Sequence, residues 1–245
     1  MARPSPILCP SPNHDARSAG RAIDMLVLHY TGMPTAEAAV TRLCEPNAKV
    51  SAHYLIDEDG TCYALVPEER RAWHAGESCW AGERDINGLS IGIELVNPGH
   101  EFGYRPFPEA QMAALIELSR SLVFRHRIPP DRVLGHSDVA PWRKQDPGEL
   151  FDWARLAEAG VGLWVDYVAE GEAPPVAIVQ DLLASFGYAT PTSGVLDEPT
   201  RAVVTAFQRH FRPAWVDGEI DAETAVRLAA LVDRARLTRV RRAPK

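Results

Sequence analysis

The sequence predicts a mixed α/β domain followed by a small all-helical module, and three observations carry that reading. Short apolar runs alternate with helical patterns over the first part of the chain. Between about residues 163 and 176 the pattern changes, and the stretch GEAPP (171–175) reads as a linker or domain edge. Beyond it, residues 176–232 hold three helical patterns in which GVLDEPT (194–200) is echoed by GEIDAET (218–224).

The elements follow in order. DMLVLHYT (24–31) is apolar enough for a buried strand. TAEAAVTRLCE (35–45) reads as a helix with Thr35 at its cap, and HYLIDEDGTCYALV (53–66) as a hairpin turning at Asp59-Gly60. SIGIELVN (90–97) is a second apolar strand. Met112, Leu115, Ile116, Leu122 and Val123 recur at helical spacing, which predicts an amphipathic helix with one face on the sheet. RVLGH (132–136) reads as a last short strand. In the echo, Asp197 and Asp221 each follow an apolar residue and precede a Thr by three positions, a pattern that caps the first turn of a helix. The module spans roughly sixty residues, near the lower limit for an independent core.

Bulk properties narrow the function. The net charge of -7 over 245 residues argues against a nucleic-acid footprint, which needs positive charge gathered on one face. The last residues, RARLTRVRRAPK, are locally basic and read as a solvated tail without an assigned function. Cys9, Cys44, Cys62 and Cys79 include no C-x-x-C pair, so a metal here must use other ligands. No stretch approaches the eighteen or so apolar residues of a spanning helix, and the N-terminus carries no continuous apolar segment. The expected compartment is therefore cytoplasmic, with a periplasmic or exported protein as the alternative if a leader has been removed.

The chemistry sits where charge interrupts apolar strands. His29 ends the run 25–28, and Glu94 stands between Ile93 and Leu95. A carboxylate in such a strand is costly unless it is paired, protonated or beside a cation. Each residue alone also fits a solvent-facing strand position. GHSDVAPWRKQDPG (135–148) could be an ordinary polar loop, yet with His29 it completes a sharper pattern. His29, His136 and Asp146 offer two imidazoles and a carboxylate, a set suited to catalytic zinc with one tetrahedral position left open. Glu94 could then take a proton from water, and Lys144 could steady negative charge on an attacked carbonyl.

Four motifs, LHYTG (28–32), AWHAG (72–76), NGLSIGIELVN (87–97) and GHSDVAPWRKQDPG (135–148), occur in this order. Together they resemble the zinc-dependent N-acetylmuramoyl-L-alanine amidases of the AmpD/AmiD type, a group related to the peptidoglycan recognition proteins. The resemblance covers roughly residues 20–160. It implies a central mixed β-sheet flanked by helices, with one zinc ion per chain on His29, His136 and Asp146. It also implies catalytic roles for Glu94 and Lys144, and hydrolysis of the amide between N-acetylmuramic acid, or its 1,6-anhydro form, and L-alanine of the stem peptide. His74 and Trp73 would line the substrate groove, Trp73 being equally compatible with core packing, and Asn87 and Arg71 are candidate sugar or peptide contacts.

Residues 179–188, 194–211 and 217–231 resemble the small helical peptidoglycan-binding domain of the type 1 family. The expected organisation is a catalytic domain over 1–165, a peptidoglycan-binding three-helix domain over 174–235 and a basic tail over 236–245. The expected partner is peptidoglycan or a muropeptide, with no nucleic acid, membrane span or obligate protein partner. The alternatives are a non-catalytic peptidoglycan-recognition protein and a phage-type endolysin. The intact His/His/Asp set with Glu94 and Lys144 weighs against the first.

Overall fold

The structure is a computed structural model that describes residues 5–242. The chain divides into two compact units, Met1–Gly76 with Asp85–Ile128, and Glu77–Arg84 with Pro129–Lys245.

The first unit is built on a mixed sheet. Strands β1 (Ile7–Leu8), β2 (His14–Ala16) and β3 (Met25–Tyr30) are followed by helix α1 (Ala36–Cys44), then β4 (Tyr54–Ile56), β5 (Cys62–Ala64) and β6 (Arg70–Ala72). Helix α2 (Ile86–Leu89), strand β7 (Ser90–Leu95) and helices α3 (Gly99–Phe102) and α4 (Glu109–His126) complete the unit. Its sheet runs in the order β1-β5-β4-β7-β3. β4 and β5 are antiparallel, whereas β4, β7 and β3 are parallel to one another. Antiparallel β2 and β6 form a separate ribbon.

Met25 to Leu28 are all fully buried, as are Ile91 and Ile93. This is why these strands read as continuous apolar runs rather than alternating ones: a parallel sheet has both faces covered. On one side α1 packs Ala36, Ala39 and Leu43 against Leu55, Leu65 and Val96. The Thr35 side chain accepts from the Ala38 N–H and so caps this helix. Helix α4 packs against β4 and inserts the buried Gln111, whose amide donates to the carbonyls of Ile56 and Val96 at the strand ends. The 53–66 hairpin and the helix carrying Met112 and Leu115 are as expected, whereas the sequence reading contains no strand at β1, β2 or β6. Each has only two or three residues, too few for an alternation to register.

In the second unit, strand β8 (Val133–Gly135) runs directly into helix α5 (His136–Val139), followed by α6 (Trp153–Glu158), α7 (Val176–Phe186), α8 (Glu198–Phe211) and α9 (Ala222–Arg242). His136 is therefore the first residue of a helical turn, not the end of a strand, because the Asp138 carboxylate accepts the Gly135 N–H and folds the chain back at this point. Likewise residues 236–242 continue α9, and the remainder of the expected basic tail, 243–245, lies outside the described residues.

The echo has a physical cause beyond capping. Asp197 and Asp221 accept the N–H groups of Thr200 and Thr224, as the pattern requires. In addition each loop is clamped by a buried glutamine from the preceding helix. Gln180 accepts the Gly194 N–H at 2.8 Å and donates to the Val195 carbonyl and the Thr200 hydroxyl. Gln208 repeats the arrangement, accepting the Gly218 N–H at 2.7 Å and donating to the Glu219 carbonyl. Gly194 and Gly218 have φ of 72° and 74°, a region where a Cβ is unfavourable.

Replacing a clamp with an apolar isostere strands several buried polar groups at once. Gln208→Leu is expected to lower the unfolding free energy by about 2–4 kcal/mol, measured by urea unfolding followed by circular dichroism.

Candidate metal centre

In the first unit the parallel register sets His29 of β3 directly beside Glu94 of β7, with Leu55 of β4 on the other side of Glu94. His29 is buried and Glu94 half-buried at the carboxyl ends of these strands, the edge of a parallel sheet at which ligands ordinarily bind.

The His29 ring does not stand alone. Its Nε2 lies 3.0 Å from Nδ1 of His74, and Nε2 of His74 lies 3.0 Å from the Ser90 hydroxyl. That hydroxyl is 2.6 Å from the Ile86 carbonyl, which can only accept. Ser90 has one proton and gives it to Ile86, so its oxygen accepts from His74 Nε2–H. A neutral His74 then presents a lone pair at Nδ1 and accepts from His29 Nε2–H. The network thus assigns the His29 lone pair to Nδ1, the form of imidazole that can ligate a metal.

The NGLSIGIELVN motif serves this arrangement. The Asn87 side-chain oxygen accepts the N–H groups of both His74 and Ala75 and fixes the backbone that carries the ring. A Cβ on Gly92 would fall 2.5 Å from the His74 ring, so only glycine leaves room for it. Beneath lies His53, fully buried, whose Nδ1 accepts the Gly92 N–H while Nε2 stands 3.1 Å from the Arg70 carbonyl. Burial, reinforced by the neighbouring Arg17 charge, pushes the His53 imidazole down from its ordinary 6.5 to about 3.

In the second unit the other two sequence-chosen ligands meet: Nδ1 of His136 and Oδ2 of Asp146 are 3.0 Å apart, and the Ser137 N–H donates to the Asp146 carbonyl. A Cβ on Gly135 would sit 2.8 Å from the Pro147 ring, so the loop closes on itself only with glycine there. Lys144 is half-buried on the same loop, its backbone N–H bonded to the Ala140 carbonyl. The sequence reading missed Arg143, whose guanidinium holds the Glu77 carbonyl and stands 3.4 Å from His136 Nε2.

Among the described residues, His29, His136 and Asp146 form a buried group whose candidate ligand atoms all lie within 4.8 Å of one another, so two imidazoles and a carboxylate could hold a metal ion. The remaining sequence-chosen residues are placed differently. Arg71 is engaged by the carboxylates of Asp15 and Asp85, both at 3.0 Å, and Trp73 Nε1 donates to the same Asp15. His74 and Asn87 are buried within the network described above. The signal for His74 as a support to His29 is the serine and glycine at 90 and 92, whose meaning needs the strand register.

A family description for N-acetylmuramoyl-L-alanine amidases matches residues 19–149, and one for a putative peptidoglycan-binding domain matches 172–228. The chain belongs to this amidase family. Its similarity to the N-acetylmuramoyl-L-alanine amidase AmiD of Escherichia coli reaches 39% identity, over 89% of this chain and 86% of the relative. The 1,6-anhydro-N-acetylmuramyl-L-alanine amidase AmpD of Enterobacter cloacae is 37% identical over 60% of this chain and 86% of its own. A solved complex of E. coli AmiD with anhydro-N-acetylmuramic acid-L-Ala-D-γ-Glu-L-Lys superposes with a TM-score of 0.79 at 36% identity, covering 89% of this chain and 92% of the other. Among the described residues no helix is long and apolar enough to cross a membrane.

Two outcomes follow for the histidines. His74→Ala is expected to weaken divalent-metal binding roughly 10- to 100-fold, read by competition with a chromogenic chelator, because His29 loses the acceptor that sets its tautomer. His53 is depressed in the folded state, so between about pH 6.5 and 3 the unfolded chain binds the extra proton and stability declines as pH falls through that window. His53→Gln, which cannot take up that proton, should show a shallower decline in urea unfolding free energy between about pH 6.5 and 4.

Proposed function

We propose that this chain hydrolyses the amide joining the lactyl group of N-acetylmuramic acid to L-alanine of the peptidoglycan stem peptide, with one zinc ion held by His29, His136 and Asp146. The observation that carries the reading is the convergence of these three buried donors, supported by Glu94 beside His29 in the sheet. A neutral imidazole pair with one carboxylate suits zinc and leaves a coordination position open. When bound, zinc supplies a Lewis acid that makes water a nucleophile near neutral pH and polarises a carbonyl.

Glu94 accepts the proton of the attacking water as the new C–O bond forms, and passes it to the amine nitrogen as the C–N bond breaks. Lys144, on the loop that carries Asp146, offsets the negative charge that gathers on the carbonyl oxygen between these events. The match ranges 19–149 and 172–228 support a catalytic part over 1–165 and a peptidoglycan-binding part over 174–235. The second part favours polymeric or large wall fragments as substrate, alongside the anhydro-muropeptides of recycling.

Mass spectrometry of purified anhydro and reduced disaccharide muropeptides, incubated with zinc-loaded protein and with a chelated control, tests the reading. Free stem peptide released only with zinc is the expected result; zinc bound at one equivalent without cleavage of either substrate would favour a peptidoglycan-recognition protein. Glu94→Ala should keep zinc but lose turnover by about 10²–10⁴-fold, and normal hydrolysis by that variant would remove Glu94 from its role.

A further inference from the structure

Asp138 sits two residues after His136, in α5, and is fully buried. Its carboxylate receives one donor from its own loop, the Gly135 N–H at 2.7 Å. The other two come from far along the chain: the Tyr188 hydroxyl at 2.5 Å, just after α7, and Nδ1 of His210 at 2.7 Å, in α8. Neither donor is free to follow a moving partner. The Tyr188 ring stands edge-on to Trp80 at 4.8 Å, and His210 is stacked on Trp153 at 3.6 Å. Trp153 in turn abuts the position of Gly135, where a Cβ would lie 3.3 Å from its ring.

A dry carboxylate left with a single donor is unfavourable, and its simplest relief is to unwind α5 and reach water. That movement would carry His136 away from Asp146, because the turn that presents Asp138 is also the turn that presents His136 and holds the Ser137 N–H on the Asp146 carbonyl.

We propose that Tyr188 and His210 are positioning residues of the metal-ligand loop, so that the C-terminal helices, besides any contact with the cell wall, hold His136 and Asp146 in ligand geometry through Asp138. The inference rests on the metal reading given above but not on cleavage of any particular bond. The module is in this view part of the metal centre's support, as outer hydrogen-bond partners of ligands commonly are.

The test uses the full chain and zinc itself. Tyr188→Phe, which removes a single oxygen, and His210→Phe, which retains a stacking ring, should each weaken zinc binding about tenfold in competition with a chromogenic chelator. The double variant should approach about 100-fold, with His210→Asn restoring most of the loss because its amide can donate from the Nδ1 position. Gln208→Leu serves as a control that destabilises the same helices without touching Asp138, and should keep wild-type zinc affinity. Pelleting with purified sacculi should be unchanged in Tyr188→Phe. Wild-type zinc affinity in Tyr188→Phe and His210→Phe overturns the proposal, whether or not their thermal unfolding shifts; so does an equal loss in the Gln208→Leu control. Because the readout is zinc occupancy, a wild-type chain that binds zinc yet cleaves no muropeptide would refute the amidase reading and leave this comparison to stand or fall separately.

Discussion

An imidazole can present a lone pair at one nitrogen only while the other keeps its proton and has somewhere to donate it. Here that destination is a chain of three groups: His29 gives to His74, His74 to Ser90, and Ser90 to a backbone carbonyl that has nothing to give back. The direction of every proton in the series is set by its last member. The surrounding sequence is shaped by this requirement, since Gly92 clears space for the middle ring and Asn87 pins the backbone beneath it. His53 underlies the same ladder position, and burial together with the Arg17 guanidinium against its ring keeps its imidazole neutral.

The second unit answers the same demand with different groups. Asp138, Gln180 and Gln208 are buried polar side chains, each surrounded by donors or acceptors from more than one segment. Buried polar groups of this kind add little net stability when satisfied, but they penalise every alternative arrangement that leaves one atom unpaired. A loop built around them therefore has one preferred shape. For 135–148 that shape brings an imidazole to a carboxylate; for 194–200 and 218–224 it fixes where the next helix begins.

Much of this was legible in the sequence because the signals are local. β3 and β7 are apolar runs, α1 and the two echo helices announce themselves by capping residues, and His29 and Glu94 stand out as charge-bearing groups in strands that otherwise exclude them. The partnership of His29 with Glu94 follows once the strands are parallel neighbours. What was not legible depends on contacts between distant segments. Nothing at Gln180 or Gln208 distinguishes a loop clamp from a surface glutamine, and nothing at Ser90 says that it ends a proton series begun 61 positions earlier, at His29. His136 reads as a strand end because the apolar run before it is continuous; the turn that actually starts there is imposed by Asp138. For Arg71 and Asn87, candidate sugar or peptide contacts by the family resemblance, the intramolecular partners Asp15, Asp85 and the His74 and Ala75 backbone were likewise not visible in the sequence.

Helix α8 shows how these demands combine. With about 100° between successive residues, Val203, Phe207 and Phe211 form the middle of its buried face, and Gln208 and His210 fall roughly 160° apart on the two rims. One rim clamps the loop that starts α9, and the other donates to Asp138. The aromatic stripe between them is packed on Phe186 and Tyr188. Packing of the aromatic stripe and the stacking of His210 on Trp153 and Phe211 fix the rotation of the helix, so the rim that donates to Asp138 keeps its setting without the Gln208 clamp. The capped, clamped N-terminus at Asp197 and Gln180 fixes the axial position in the same way. Rigidity in a module of this size is therefore transmitted to the 135–148 loop as geometry, and the precision of the His136–Asp146 pair is inherited from helices that begin about forty residues downstream.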